Sequence, residues 1–255
     1  MEPKSVTLAP GKIYYLELGK GPELLFLHGA VATPEAYLPL LKLLAEDFHI
    51  VAPVHPGHGA SFAIPPDWKL GNFVNFYQDF LGDLGIAPRV LIGHSFGGTL
   101  ALLLASQGVG QQAIVMDAPG LPFQFAVPEY ARALGNEARE LLRQRPDLRE
   151  LNGAAKAAGT LFQTVIRHPR DLSIFSQDGP KFNILRQLRK IPITVELLWG
   201  GNDQIVPVAL GQKMQLCLPS AHLTIFPGRG HNYPATDPEF TYREITKILH
   251  RQGGG

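Results

Sequence analysis

Short apolar runs alternate with longer stretches of helical periodicity along most of this chain. Ile13–Leu18 alternates and predicts an early, half-exposed strand. Leu24–Leu27 is a short apolar run that ends at His28-Gly29. Tyr37, Leu40, Leu41 and Leu44 recur at helical spacing, predicting a helix over Pro34–Asp47 with Thr33 as N-cap and Pro34 in its first turn. Ile50–Val54 predicts a strand closed by Pro56-Gly57, and Asn72–Leu84 a helix stopped by Gly85. Val90–Ile92 is apolar on both faces, as a central parallel strand should be. Phe96–Ser106 is apolar nearly all round and predicts a buried helix, followed by a strand at Ala113–Met116. After an interruption, Ile193–Trp199 and Leu223–Phe226 read as strands, and Pro207–Leu216 and Pro238–His250 as helices. Repeated strand–helix units imply an α/β fold, a parallel sheet covered by helices on both faces.

The interruption runs from Pro119 to Lys190. It is helical in pattern and broken by Pro128, Pro146, Gly159, Pro169 and Pro180. Twelve of the 23 basic and seven of the 22 acidic side chains fall there, so it carries +5 and the rest of the chain −4. The composition shift marks an inserted subdomain. The expected organisation is a core of residues 1–118 and 191–255 with 119–190 inserted.

Composition narrows the function classes. A chain of 255 residues buries enough surface to hold a core without disulfides or metals. A formal charge of +1 gives a nucleic-acid role little electrostatic support. One cysteine, Cys217, excludes an intramolecular disulfide and a cysteine-based zinc site. Met1 to Leu18 lacks a basic segment followed by an apolar run, and no apolar stretch reaches bilayer length. A cytoplasmic protein without membrane contact, monomeric or homodimeric, is the expectation. No dinucleotide fingerprint or phosphate loop appears, so no cofactor is expected.

The sharpest local signal is Gly93-His94-Ser95-Phe96-Gly97, followed by Gly98. It fits the G-x-S-x-G nucleophile elbow. The string gains its specificity from context, because an apolar strand precedes it and an apolar helix follows. Ser95 then sits on a tight strand-to-helix turn at a helix N-terminus, where negative charge is favoured. The flanking glycines are needed because a side chain there would clash with the neighbouring elements.

A serine nucleophile needs a general base, and the base needs an orienting carboxylate. Both are expected downstream of Ser95, on loops after strands. Asp203, just past Leu198-Trp199-Gly200, meets that demand, and so does His231 in Gly228-Arg229-Gly230-His231. Asp117, at the end of Ala113–Met116, is the rival acid. His222 starts a strand at the wrong end of the sheet, His250 lies on the last helix and His168 in the insert. His94 neighbours Ser95, and its side chain is expected to point away. Two oxyanion donors are expected: the backbone N–H of Phe96, and that of Ala30 after His28-Gly29, with His28 bracing the loop. His55 and His58 flank a Pro-Gly turn with no third histidine or carboxylate expected nearby, so no metal site is expected.

Four motifs in order, His28-Gly29, Pro56-Gly57-His58-Gly59-Ala60-Ser61, Gly93–Gly98 and the segments of Asp203 and His231, resemble the α/β-hydrolase fold superfamily. The resemblance runs from about Ile13 to His250. It implies an eight-stranded, mostly parallel sheet with a helical cap at 119–190. It also implies Ser95 as nucleophile, His231 as base, Asp203 as orienter, and Ala30 and Phe96 as oxyanion donors. The sequence departs from the superfamily at Val54, where an Asp commonly stands, which questions the usual hydrogen bonding under the oxyanion loop. An aromatic often follows the His-Gly loop, and Tyr37 is the candidate. A serine in place of an aspartate nucleophile argues against epoxide hydrolases and haloalkane dehalogenases.

Phe123, Phe125, Phe162 and Phe175 in the insert, and Trp68 on the loop after the second motif, are candidates for lining an acyl pocket; Phe123 and Phe125 suit the insert's own core equally well, and the other three suit core packing better. The expected activity is hydrolysis of small to medium carboxylic esters. Alternatives on the same residues are C–C bond hydrolysis or perhydrolysis. From another class, a ligand-binding protein with little turnover fits the same pattern.

Overall fold

The computed structural model describes residues 3–30, 32–123, 132, 135–136 and 183–252. Strands β1 (Lys4–Leu8) and β2 (Gly11–Leu18) pair antiparallel, and β2 continues antiparallel onto β4 (His49–Pro53). From there the sheet is parallel: β3 (Glu23–Leu27), β5 (Val90–His94), β6 (Gln112–Met116), β7 (Thr194–Gly200) and β8 (Ala221–Phe226). The spatial order is β1-β2-β4-β3-β5-β6-β7-β8, an eight-stranded sheet. β3 is followed by β4 on one side and β5 on the other, so the chain changes direction between β3 and β5. In open α/β sheets a crevice forms at such a point, outside the carboxyl ends of the strands.

The period of two sorts each strand between two apolar layers. Leu24 and Phe26, Val90 and Ile92, and Ile114 and Met116 face one layer. Leu25 and Leu27, Leu91, and Ala113 and Val115 face the other. The first layer is closed by α1 (Leu38–Leu44) and α7 (Pro238–Gln252), through Leu40, Leu41, Ile245 and Ile248. The second is closed by α2 (Leu70–Leu84), α3 (Phe96–Ser106), a short α4 (Leu185–Leu188) and α5 (Val208–Cys217). Residues 96–105 of α3 are all buried, because this helix lies between the sheet and other helices. Each fully buried leucine there contributes roughly 1.5–3 kcal/mol. α6 (Tyr233–Thr236) is a single turn after β8.

Two expectations are corrected. Pro34–Asp47 is not one helix: a 3-10 turn at Pro34–Tyr37 precedes α1. Pro39 has no N–H for the helical bond back into Pro34–Tyr37, so the helix restarts with Pro39 in its first turn. Thr33 holds the expected N-cap position, but its side chain makes no capping bond. β1 was not expected: it is an edge strand with mostly exposed residues, and its alternation rests on Val6 and Leu8 alone. By contrast α2 ends as expected, at Gly85 with φ 65.

Most of residues 119–190 lie outside the described residues. The two described ends of that stretch meet: the Ile184 N–H donates to the Gly120 carbonyl at 2.9 Å. Ile184 and Leu188 pack in the second apolar layer. Among the described residues, no helix is long and apolar enough to cross a membrane.

Candidate active site

Ser95 joins β5 to α3 with φ 53 and ψ −121. Asp117, with φ 49, is the other non-glycine residue at positive φ among the described residues. Such conformations cost of order 1–3 kcal/mol each and persist where the surroundings over-determine them. Here the surroundings are hydrogen bonds and close backbone packing. The Ser95 N–H donates to the Met116 carbonyl at 2.8 Å, extending the β5–β6 ladder by one residue. A Cβ on Gly93 would lie 2.3 Å from the Gly97 oxygen, and one on Gly97 only 2.1 Å from the Leu27 oxygen. α3 can therefore start against β3 and β5 only with glycine at both places, as the sequence pattern anticipates.

The turn after β7 carries Asp203 and the loop after β8 carries His231. His231 Nδ1 and Asp203 Oδ2 are 2.7 Å apart, and both side chains are buried. The second oxygen, Oδ1, accepts the N–H groups of Ile205 at 2.7 Å and Val206 at 2.8 Å. The carboxylate is thus held from both oxygens. The two loops are bonded to each other, since the Asn202 N–H donates to the Arg229 carbonyl at 2.8 Å. Arg229 in turn pairs with Asp237 and lies over the Phe240 ring.

The loop after β3 reaches the elbow. A Cβ placed on Gly29 would lie 3.4 Å from Ser95 Cβ, so Ala30 follows a residue that abuts the serine. Phe96 opens α3 and is buried. Beneath this loop His28 and His55 are interlocked. The His55 N–H donates to His28 Nε2 at 2.9 Å, and His55 Nε2 lies 2.8 Å from the His28 carbonyl. His28 Nδ1 lies 2.7 Å from the Gly29 carbonyl. A carbonyl only accepts, so His28 carries its proton on Nδ1 and His55 on Nε2. The Tyr77 hydroxyl meets the remaining nitrogen, Nδ1 of His55. Burial above all, reinforced by neighbouring rings, holds His28 and His55 well below the ordinary histidine range, so both are neutral.

This answers the departure at Val54. That residue only makes backbone bonds, to Tyr14 and to the Ser61 hydroxyl. His55, one position on, bonds instead to the ring and the carbonyl of His28 in the loop after β3. It also corrects the expectation that His55 and His58 have no third histidine nearby. The His28 ring centroid is 3.8 Å from that of His55 and 5.2 Å from that of His58. Both nitrogens of His28 and of His55 are hydrogen-bonded, so the trio is a packed brace.

Asp117 is buried within a few ångströms of the dyad. One ligand atom each of Asp117, Asp203 and His231 all lie within 4.8 Å of one another, the one cluster among the described residues with metal-ligand spacing. The His231 Nδ1 bond goes to Asp203, while Asp117 Oδ1 accepts the Gly200 N–H at 2.8 Å. His94 departs from expectation: its side chain turns toward the His231 loop, with ring centroids 4.8 Å apart. No periodic or motif signal in the sequence points to the partners of His55 and His94 or to the Asp117–Gly200 bond.

Of the candidate lining residues, Trp68 packs against Phe62, Phe73 and Phe76 at centroid distances of 5.0–5.9 Å. Phe123 is partly buried against the core. Phe125, Phe162, Phe175 and His168 lie outside the described residues. His222 starts β8 and pairs with Glu196 at 3.0 Å, and His250 is exposed on α7. A surface cleft lined by Leu81, Ile86, Arg89 and Val109 opens at the amino-terminal edge of the sheet, away from Ser95.

The sequence model of the alpha/beta hydrolase family matches residues 24–244, and the chain belongs to that family. It is 26% identical to an uncharacterized protein of Mycobacterium tuberculosis over 90% of this chain and 75% of that one. It is 23% identical to the non-heme chloroperoxidase CPO-A1 of Kitasatospora aureofaciens over 94% of this chain and 96% of that one. Among solved structures it resembles a bacterial membrane phospholipase A, with a TM-score of 0.83 and 24% identity over 100% of this chain and 87% of that one. Structures of an esterase and a meta-cleavage product hydrolase share the fold.

Proposed function

We propose that this chain is a serine hydrolase of small to medium carboxylic esters, working through an acyl-Ser95 intermediate. The observation that carries the reading is the buried Asp203–His231 pair beside the strained elbow of Ser95. His231 shares one proton with Asp203 through Nδ1, which leaves Nε2 as a base. Ser95 Oγ attacks the ester carbonyl and passes its proton to His231 Nε2. The Asp203 carboxylate, fixed by two backbone N–H groups, stabilises the imidazolium that forms. The negative charge on the carbonyl oxygen develops at the N-terminus of α3, where the Phe96 and Ala30 N–H groups serve as donors. A preorganised donor of this kind is worth roughly 3–4 kcal/mol. The alkoxide leaves with the proton from His231. Water, deprotonated by His231, attacks the acyl group, and Ser95 regains the proton as the acid departs.

Residues 119–190 serve as a cap in this reading. Their support is the meeting of Gly120 and Ile184 just beyond the carboxyl end of β6, on the edge that carries Ser95. Phe123, Phe125 and Phe162 are the residues proposed to touch the acyl group. The test is steady-state turnover of p-nitrophenyl esters from acetate to laurate, with Ser95→Ala as control. Turnover that disappears in Ser95→Ala establishes the nucleophile, and the chain-length optimum sizes the pocket. Equal inactivity of both proteins overturns ester hydrolysis and moves the search to C–C and perhydrolysis substrates, or to ligand binding without turnover.

A further inference from the structure

One hydrogen-bonded chain passes under Ser95 and joins two loops. The Gly29 N–H donates to the Tyr37 hydroxyl at 3.3 Å. The Tyr37 hydroxyl lies 2.6 Å from His94 Nδ1. His94 Nε2 lies 2.9 Å from the carbonyl oxygen of His231. Tyr37 and His94 are each 2% exposed, so water does not compete for these groups.

The direction of every proton follows from the partners. A carbonyl oxygen only accepts, so His94 carries its hydrogen on Nε2. A neutral imidazole has one N–H, so Nδ1 accepts and Tyr37 donates to it. The Tyr37 oxygen is then left to accept from Gly29. Donors and acceptors match from end to end without a reversal. Burial first, and His231 second, hold His94 well below the ordinary histidine range, which agrees with the neutral form. Burial likewise keeps the Tyr37 phenol protonated.

We propose that Tyr37 and His94 are positioning residues that set the spacing between the Gly29–Ala30 loop and the His231 loop across Ser95. The inference rests on the serine hydrolase reading above, in which those loops supply an oxyanion donor and the base. Packing at Gly29 supports it independently. A Cβ there would lie 3.0 Å from His94 Nδ1, 3.2 Å from the Tyr37 oxygen and 3.4 Å from Ser95 Cβ, so the loop rests directly on both side chains and on the elbow. The Tyr37 ring meanwhile packs on Phe26 with centroids 5.0 Å apart. A phenyl ring fills that space equally well, so the hydroxyl is what packing does not explain.

The test compares the full chain with Tyr37→Phe, His94→Leu and the double variant, all assayed on p-nitrophenyl acetate. Leucine offers no polar atom to the Tyr37 hydroxyl or to the His231 carbonyl, so it cuts the chain at the ring. Each single change is expected to lower kcat about 10- to 100-fold, as a displacement near 1 Å does, with KM within about twofold. The double variant is expected to be no worse than the weaker single, because both cut one chain. Wild-type kcat in Tyr37→Phe, or losses that multiply in the double variant, overturns the proposal. Imidazole nitrogen NMR gives a reading without turnover. His94 is expected as the neutral Nε2–H form, and the His231 ring signals should move in Tyr37→Phe. Unmoved His231 signals overturn the proposal even if no ester is hydrolysed. Ester turnover that survives Ser95→Ala defeats the hydrolase reading separately.

Discussion

Asp117 Oδ1 holds the Gly200 amide at 2.8 Å, tying the end of β6 to the turn that carries Asp203. Asp117 thus serves the Gly200 amide, while His231 Nδ1 lies 2.7 Å from Asp203 Oδ2. This separates two acids that the sequence alone leaves in competition. Asp203→Asn is expected to reduce kcat on an ester by about 10⁴-fold, since the amide favours the wrong tautomer of the base. Asp117→Asn keeps an oxygen for Gly200 and should lose less than about tenfold. Asp117→Ala should cost about 1–3 kcal/mol in urea unfolding, the penalty for a buried N–H left without its acceptor. Equal kcat losses in the two asparagine variants would refute this division of roles.

The neutral histidines make stability depend on pH. His28, His55 and His94 are each buried and held well below the ordinary histidine value of 6.5. As pH falls below that value the unfolded chain takes up protons that the folded chain refuses. The unfolded state then binds more protons, so stability is full above the ordinary range and is lost on acidification. The limiting slope is about 1.4 kcal/mol per pH unit for each such histidine. Urea midpoints measured from pH 7.5 downward should fall steadily once pH 6.5 is passed. His55→Gln should flatten the decline, and an unchanged slope would count against the brace.

Gly97 tests the elbow as a packing problem. A methyl group there meets the backbone oxygens of Leu27 and His28 at 2.1 and 2.4 Å. Neither atom is the end of a flexible side chain, so β3 and α3 must separate. Gly97→Ala is expected to cost about 3 kcal/mol or more, at the upper end for overpacking. A loss below about 1 kcal/mol by urea unfolding would show that the elbow relaxes.

Trp68 separates pocket from core. Its three aromatic neighbours make it a packing residue first. Trp68→Ala is expected to lower stability by about 1–3 kcal/mol, less than a fully buried ring, while KM for short esters changes within about twofold. A large rise in KM at unchanged stability would return it to the acyl pocket.

The parallel core was legible because burial on both faces leaves uninterrupted apolar runs, as in Val90–Ile92, and because Gly85 must stop a helix where φ turns positive. The elbow was legible because close packing at Gly93 and Gly97 admits one residue type. Asp203 and His231 could be ordered by their place after strands. What escaped was contact between residues far apart in sequence. Nothing local to His94 reveals that it spans 137 positions to the His231 carbonyl. Nothing local to His55 reveals that it bonds to His28, 27 positions away. β1 escaped because an exposed edge strand needs few apolar residues.

The bond between Ile184 and Gly120 has a consequence beyond the present chain. It closes the scaffold at its own surface, so the sheet is complete whether the intervening stretch is long or short. Loop length adds little entropy, about 0.6 kcal/mol for each doubling. The junction is therefore a natural splice point. A different insert, with ends that fit this one hydrogen bond, can be exchanged there while every strand stays in register.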